Sequence, residues 1–325
     1  MRMRIEGPGR PLVQVQIVTY NSESHIGRCL QSLAKQTAVI DRVLVIDNAS
    51  TDGTTAIVRA ANVPVLQMER NVGYAAGHNQ GFRRAIEHGM DVVVTLNPDV
   101  ELDPQYIEIA VESLWKDPRC GAVTGKLIRP DGLIDSAGLE MQAFYHVRDR
   151  GAGQPDGDRW ACPGPVWGIC GAAAVYRVQM LRDIALANGD IFDESFFIYK
   201  EDVELCWRAT RAGWGFWYEP RAVAVHVRGW RRGSRVSEVA AAHSFANQIA
   251  LLIRHVPNVS LGLLSAVFVE LTRYVWLAIT RPRIGARTTR FIAKQWKYHW
   301  RVRRELGDKY GWWNAAGRLG RCSHV

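Results

Sequence analysis

The residues best suited to chemistry in this 325-residue chain are four acids and a histidine at the ends of apolar runs. Asp99 closes "LNPDV", just after a proline and two residues beyond the amide Asn97. A strand end can hold one carboxylate rigidly, and one carboxylate with substrate phosphates and water suffices for Mg²⁺. Asn, Pro and Asp are also turn residues, so a capping role competes. Asp47 ends "RVLVID". It could accept from a base N–H or a ribose hydroxyl, or serve only the dipole of a helix starting near Thr51. Glu201 and Asp202 are adjacent in "YKEDVELCWR". On a helix they point in different directions, so at most one faces a cleft. There it would act as a general base toward a hydroxyl; the alternative is a pair of acids favoured by the helix dipole. His226 ends "VAVH" and precedes "VRGWRRGSR". It is a candidate metal ligand or phosphate contact, or a packing histidine. Arg228, Arg231, Arg232 and Arg235 could grip a diphosphate or lipid phosphate, or form a solvated loop.

The elements that must position these groups alternate over the first hundred residues. "LVQVQIVTY" reads as a strand and "SESHIGRCLQSLAKQ" as a helix with Ile26, Leu30 and Leu33 on one face. "RVLVIDNAS" is a second strand. A helix follows that Thr51 or Asp52 can cap. "VPVLQME" is a short third strand, and "NVGYAAGHNQGFRRAIEHG" a Gly-rich turn entering a helix. "DVVVTLNPDV" is the fourth strand; its apolar run suits a parallel strand buried on both faces. The pattern predicts an α/β fold with an open, right-handed βαβ sheet. Ligands then sit at the carboxyl ends of the strands, where Thr19-Tyr20-Asn21, Asp47-Asn48 and Asn97-Pro98-Asp99 fall. "GYAAGHNQG" matches neither GxGxxG nor a Walker loop; its glycines serve close approach to a ligand or tight helix–sheet packing.

Beyond residue 120 the chain reads as strands and turns, with a helix in the second half of "FDESFFIYKEDVELCWRATRAGW". "RDRGAGQPDGDRW" has the composition of a mobile loop. The net charge of +9 is uneven: residues 281–325 hold twelve Lys/Arg and two Asp/Glu, leaving the remainder at −1. Such a tail suits an anionic surface, lipid or nucleic acid, but no nucleic-acid-binding motif is present. The six cysteines form no CxxC pair, which fits a reduced compartment. No secretory signal is visible. Val259–Ile279 is nearly long enough to span a bilayer, but it contains Glu270 and Arg273. A charge at the bilayer centre costs about 2.5–3.5 kcal/mol, so a buried or membrane-surface helix is expected, with a spanning helix as the alternative. Further on, Phe291, Gln295, Tyr298 and Val302 share a helical face among basic and aromatic residues. That suits a helix on anionic lipid, an oligomerisation helix, or one packed on the main domain.

Taken in order, "IVTYNSESHIGRCLQSLAKQT", "VLVIDNASTDGT", "NVGYAAGHNQGF", "LNPDVEL", "FDESFFIYKEDVELCWRATRAGW" and "EPRAVAVHVRG" resemble the family 2 inverting glycosyltransferases, and within them the rhamnosyltransferase-like branch. The resemblance implies a GT-A fold, a Rossmann-like nucleotide-binding sheet merged with an acceptor-binding half. It would occupy residues 12–240, after a loose 1–11 and before a helical, basic 241–325. It implies a nucleotide-sugar donor and Mg²⁺ or Mn²⁺. Carried over by position, Thr19, Tyr20, Asn21, Asp47, Asn48, Asn71, Gly73, Asn79 and Asn97 are donor contacts. Asn97-Pro98-Asp99 stands where the family has its DxD motif, with Asn for the first acid; Asp99 and His226 are the implied metal contacts. Asp202 matches the catalytic base, with Glu201 beside it, and Arg228, Arg231, Arg232, Trp167 and Gly171 are diphosphate or acceptor contacts. The expected reaction moves L-rhamnose from dTDP-L-rhamnose to a lipid-linked cell-envelope or polysaccharide acceptor. Glucose, galactose and N-acetylglucosamine donors are the alternatives, and nucleic-acid binding through the tail a remote one. The expected setting is the inner face of the plasma membrane, with a homo-oligomer through the C-terminal helices possible in principle.

Overall fold

The computed structural model describes residues 9–228, 237–256 and 261–311. Arg231, Arg232 and Arg235 lie outside the described residues. The chain opens with β1 (Val13–Thr19), α1 (Ile26–Ala34), β2 (Arg42–Asp47), α2 (Thr54–Ala60), β3 (Val65–Gln67), α3 (Tyr74–Glu87) and β4 (Val92–Leu96). A short β5 (Val100–Leu102) and α4 (Tyr106–Trp115) follow. Next come β6 (Cys120–Ile128), β7 (Ile134–Ser136), β8 (Leu139–Met141), β9 (Val147–Asp149), β10 (Gly164–Val166) and β11 (Ala173–Arg177). Then come α5 (Val178–Ile184), α6 (Glu201–Arg211) and β12 (Gly215–His226). Helices α7 (Glu238–His255), α8 (Leu261–Thr280) and α9 (Pro282–Tyr310) close the described chain.

The central sheet runs β10-β12-β6-β11-β4-β1-β2-β3, with β5 on β12 and β7 on β6. Strands β3, β2, β1 and β4 are parallel, as the βαβ pattern requires. β11 enters antiparallel between β4 and β6, and β12 lies parallel to β6. The carboxyl ends of β1, β2, β4, β6 and β12 therefore share one edge with the start of β11. All seven residues of β1 and all five of β4 are buried, so apolar layers form on both faces. Helices α1 and α4 cover one face with Ile26, Leu30, Leu33, Tyr106 and Leu114. Helices α3, α5 and α6 cover the other with Phe82, Leu181 and Leu205.

The glycines of "GYAAGHNQG" serve packing. Gln16 on β1 is buried and donates to the carbonyl oxygen of His78 at 3.1 Å. A Cβ on Gly81 would stand 2.0 Å from Gln16 Oε1, and one on Gly77 2.9 Å from Val18. Only glycine lets α3 approach the sheet this closely. The polar segment "RDRGAGQPDGDRW", expected to be mobile, is instead folded onto the body. Trp160 is 3% exposed, its carbonyl oxygen accepts from Tyr218 Oη at 2.9 Å, and Arg150 lies over its ring. A buried tryptophan outweighs the loop-like composition around it.

The late helices differ from one another. The α9 face carrying Phe291, Gln295, Tyr298 and Val302 is turned inward rather than toward lipid. Gln295 Nε2 donates to the carbonyl oxygen of Ser195 at 3.0 Å, Tyr298 Oη donates to Asp193 Oδ2 at 2.9 Å, and Phe291 stacks on His243. Helix α8 is the reverse: only Ala266 and Glu270 are buried, while Leu264, Phe268, Leu271, Trp276 and Ile279 are exposed. It is long and apolar enough to cross a membrane by length and composition.

A buried ionic network ties α7 and α9 to the body. Arg254 of α7 is fully buried; its Nη1 lies 2.7 Å from Asp193 Oδ2 and 3.6 Å from Glu204 Oε1. Arg208 and His255 also flank Glu204, at 2.8 and 3.3 Å. Burial opposes ionisation of Glu204, but Arg208, His255 and Arg254 hold its carboxyl well below the usual range. Removing one partner leaves a buried, uncompensated charge. Arg254→Leu is expected to lower unfolding free energy by about 3–5 kcal/mol, read from urea denaturation; a loss under 1 kcal/mol would refute the network as the brace.

Candidate active site

The strand ends converge as the parallel sheet demands. Val227 N–H donates to the carbonyl oxygen of Asp99 at 2.9 Å, and His226 pairs with Val100 across β12 and β5. This brings His226 Nε2 within 3.4 Å of Asp99 Oδ1. On its other side, His226 Nδ1 lies 2.8 Å from Asp135 Oδ2. Burial opposes a charge on this imidazole, but Asp135 and Asp99 together raise its pKa to about 9. Its Nε2 proton therefore stands where a cation held by Asp99 would stand, with Asp135 orienting the ring.

Arg228, read from sequence as a diphosphate contact, is committed elsewhere. Its guanidinium spans Asp135 at 2.7 Å and Asp149 at 2.8 Å. It fixes the second carboxylate behind His226 rather than reaching into the cleft.

The other half of the cleft forms at α6. Gly171, just before β11, donates its N–H to Asp202 Oδ2 at 3.1 Å. Its carbonyl oxygen accepts from Thr95 Oγ1 at 2.9 Å and from Tyr74 Oη at 3.1 Å. The next residue, Ala172, accepts the N–H of Asn97 at 2.8 Å. Two residues of backbone thus join the Asn97-Pro98-Asp99 turn to Asp202. The electrostatics agree: burial and the carboxylates of Glu201, Asp202 and Asp99 together hold the Tyr74 phenol well above its ordinary value. Burial raises Asp202 to about 6, against the opposing pull of the Gly171 and Val203 N–H groups. Glu201 is also buried and raised, by desolvation and by Asp202. A carboxyl raised toward neutrality, as Asp202 is, suits general-base chemistry.

The donor-side candidates fall into two groups. Asn97 Oδ1, Asn48 Oδ1 and Glu201 Oε2 are buried and find no hydrogen-bond partner among the described residues. Such orphaned acceptors call for a ligand, water or ion. Tyr20 is half exposed at the mouth of β1. Asp47 is buried; it accepts from Thr19 Oγ1 at 3.0 Å and from Ser50 Oγ and N–H at 2.5 and 3.0 Å. Asn21 accepts from Thr51 N–H at 2.8 Å and so pins the β1 loop to the β2 loop. Asn71 accepts from Gly73 N–H at 2.9 Å, and Asn48 Nδ2 donates to Gly73 O at 3.0 Å. Asn79 is spent: its Oδ1 accepts from Ile191 and Phe192, and its Nδ2 donates to Phe192 O and Glu194. It brackets the 191–194 segment and does not face the cleft. Trp167 is half-buried, edge-on to Trp207 behind α6.

Four residues invisible to the sequence reading matter here: Asp135, Asp149, Tyr74 and Asn247. Asp135 and Asp149 are single acids in short strands, with no spacing to mark them. Asn247 sits on α7, far along the chain. Its Nδ2 donates to the carbonyl oxygens of Phe196, Ile198 and Tyr199 at 2.9, 3.0 and 2.7 Å. The loop it grips holds Phe197, Tyr199 and Lys200 at φ +59°, +69° and +69°, each costing about 1–3 kcal/mol. Phe197 O in turn accepts from Tyr74 N–H at 2.6 Å, and a Cβ on Gly73 would stand 2.5 Å from the Phe197 ring.

Residues 14–185 match the family model for glycosyl transferase family 2. The N-acetylglucosaminyl-diphospho-decaprenol L-rhamnosyltransferase of Mycobacterium tuberculosis is 31% identical over 272 residues, covering 75% of this chain and 85% of that protein. The chain belongs to glycosyl transferase family 2. A low-salt glycan biosynthesis hexosyltransferase of Haloferax volcanii is 24% identical over 208 residues, 61% of this chain and 62% of that one. Two solved structures share the fold of this family 2 glycosyltransferase. GalNAc-T7 with UDP, GalNAc and Mn²⁺ has a TM-score of 0.58 at 15% identity, over 93% of this chain and 59% of that one. The Pyrobaculum calidifontis mannosyltransferase with GDP-Man and Mn²⁺ has a TM-score of 0.56 at 19% identity, over 93% of this chain and 86% of that one.

Asn247→Leu should release the strained loop. We expect turnover to fall about 10- to 100-fold, while calorimetric donor affinity changes less than threefold, since a small misplacement of a catalytic group can cost about 100-fold. Unchanged turnover would remove Asn247 from the positioning of Asp202.

Proposed function

We propose that this glycosyltransferase is an inverting rhamnosyltransferase, taking L-rhamnose from dTDP-L-rhamnose and adding it to a polyprenyl-diphosphate-linked sugar. The donor and acceptor classes rest on the Mycobacterium tuberculosis relative, which acts on N-acetylglucosaminyl-diphospho-decaprenol. The observation that carries the mechanism is the tie through Gly171 and Ala172, which sets Asp202 and the Asn97–Asp99 turn around one cleft. Asp202 accepts the proton of the acceptor hydroxyl. The freed oxygen attacks the anomeric carbon opposite the departing nucleoside diphosphate, and one displacement inverts the centre.

A divalent cation fits the donor half. Asp99 would supply a carboxylate, His226 an imidazole nitrogen once its Nε2 proton is lost, with Asp135 behind it, and Asn97 a buried oxygen with no hydrogen-bond partner among the described residues. Among the described residues no three His, Cys, Asp or Glu side chains form a metal cage. This suits an ion that takes its remaining oxygens from phosphate and water. Bound there, Mg²⁺ or Mn²⁺ would supply charge neutralisation for the leaving diphosphate. Thr19, Tyr20, Asp47 and Asn48 line the nucleoside side on this reading. The division near residue 240 then separates the donor-binding sheet from helices that brace it.

The exposed apolar face of α8 supports peripheral attachment to an anionic, inner-leaflet membrane. Beside it, Lys294, Lys297, Arg301 and Arg304 of α9 are exposed with Trp296 and Trp300, and basic residues with interfacial aromatics suit such a surface. Phe268→Asp with Leu271→Asp is expected to shift the protein from floated anionic liposomes to the soluble fraction. Equal recovery, or a dimer by light scattering that the same changes dissolve, would replace the membrane by a second copy.

The mechanism also sets a pH dependence. A base works only when ionised, and the Asp202 pKa is raised to about 6. Turnover should therefore fall tenfold per unit below pH 6 and level off above it. Asp202→Asn should lose at least about 1000-fold in turnover at every pH and retain donor binding by calorimetry. Near wild-type turnover in that variant would overturn the base assignment.

A further inference from the structure

A cluster of polar groups at the foot of α8 is not used by the mechanism. Glu270 is one of two buried residues on that otherwise exposed helix. Its Oε1 lies 2.6 Å from His146 Nε2 and 3.0 Å from Arg273 Nη1. Arg273 Nη1 also lies 3.1 Å from His146 Nε2. Across from them is Lys200, whose Nζ donates to Gln248 Oε1 at 2.5 Å. Gln248 Nε2 in turn donates to the carbonyl oxygen of Tyr145 at 3.2 Å, next to His146. Lys200 is partly buried and feels Glu270, Arg273 and Asp202 electrostatically. It also immediately precedes Glu201 and Asp202 in the chain.

The arrangement has three properties of an anion seat. Lys200 has three donors and spends one on Gln248. Arg273 is half exposed, at 48% of its side chain, and its ion pair with Glu270 uses Nη1. Glu270 orients His146 and Arg273 while carrying one negative charge against the two cations Lys200 and Arg273. Its position is also distinctive: Lys200 stands two residues before Asp202, and Glu270 and Arg273 belong to α8, whose apolar residues are exposed. An acceptor with a sugar, a diphosphate and an isoprenoid chain has the same three parts in the same order.

We propose that Lys200, His146 and Arg273 form the binding site for the diphosphate of the lipid-linked acceptor. This site deepens the lipid-linked reading above and rests on it. The sugar hydroxyl then reaches Asp202, and the isoprenoid leaves along α8. Diphosphate is held by charge-assisted, bidentate contacts from Arg273 and by the Lys200 N–H groups not given to Gln248. Glu270 acts as a positioning residue for both neighbours.

The test uses the full chain and farnesyl diphosphate in detergent micelles as the probe. Wild type is expected to bind it, and Arg273→Gln and His146→Gln each to weaken binding about tenfold or more. Arg273→Lys, which keeps the charge, should restore part of the loss. dTDP affinity should change less than twofold in all three, which separates this diphosphate site from that of the donor. Equal binding of the probe by wild type and both Gln variants would overturn the site and leave the lipid-linked reading standing. Displacement of the probe by phosphatidylglycerol micelles as efficiently as by unlabelled probe would also overturn it, marking a general lipid-phosphate contact. No binding by wild type, with turnover on a soluble N-acetylglucosamine glycoside, would overturn both the site and the lipid-linked reading.

Discussion

The cleft depends on one short piece of backbone, Gly171 and Ala172. Its polar groups are divided between elements that are distant in sequence. The Gly171 N–H holds Asp202, its carbonyl oxygen takes Thr95 and Tyr74, and the Ala172 carbonyl oxygen takes Asn97. Buried backbone groups must be paired, so each bond satisfies a local need as well as a positional one. Gly171 also stands close to its neighbours: a Cβ there would lie 3.4 Å from Asp202 and 3.6 Å from Tyr74 Oη. Helix α6 and the Asn97–Asp99 turn are thereby set by main chain, which holds position better than paired long side chains.

Helix α6 handles three acids in one turn in two opposite ways. Glu201, Asp202 and Glu204 all lie in its first turn, where the dipole favours negative charge. For Glu201 and Asp202 desolvation wins, because no cation pairs with them among the described residues, and both are raised. For Glu204 desolvation also opposes the charge, yet Arg208, His255 and Arg254 overcome it. The difference comes from the side of the helix each acid faces. Glu204 points toward α7 and its arginine, while Asp202 points toward Gly171. The charge that stabilises the fold is thus kept apart from the acid pair that opens α6.

Much of this was legible in the chain. The alternation through Leu96 and the polar strand ends predicted a parallel sheet with its site on the carboxyl edge, and β1 to β4 follow it. The pairing of His226 with Asp99 was suggested by motif order, and the antiparallel match of β12 with β5 is what brings them together. Other features were hidden for physical reasons. Asp135 and Asn247 act through contacts to residues distant in sequence, which leave no periodicity. The glycines of α3 could equally have served a phosphate or a strand, and only the buried side chains of Gln16 and Val18 decide for the strand. Composition misjudged the 148–160 segment because one buried Trp160 is worth more than its many polar neighbours. For α9, helical spacing correctly grouped Phe291, Gln295, Tyr298 and Val302, but spacing does not say what covers a face.

The C-terminal helices carry two kinds of surface, and each explains the other. Helices α7 and α9 present polar and ionic groups inward, through Arg254, Asn247 and Tyr298, and so are bound to the body by directional contacts. Helix α8 is held at few points, chiefly Ala266 and Glu270, and turns its large apolar residues outward. A helix left so exposed loses about 25 cal/mol for every Å² of apolar surface not buried, a cost that only an apolar surrounding removes. The charged members of α8, Glu270 and Arg273, pair with each other and with His146, so burying the outer face in lipid would desolvate no unpaired charge. A rigid base of α7 and α9 is what such a helix requires. Without it, contact with a membrane would move α8 alone and leave the cleft behind.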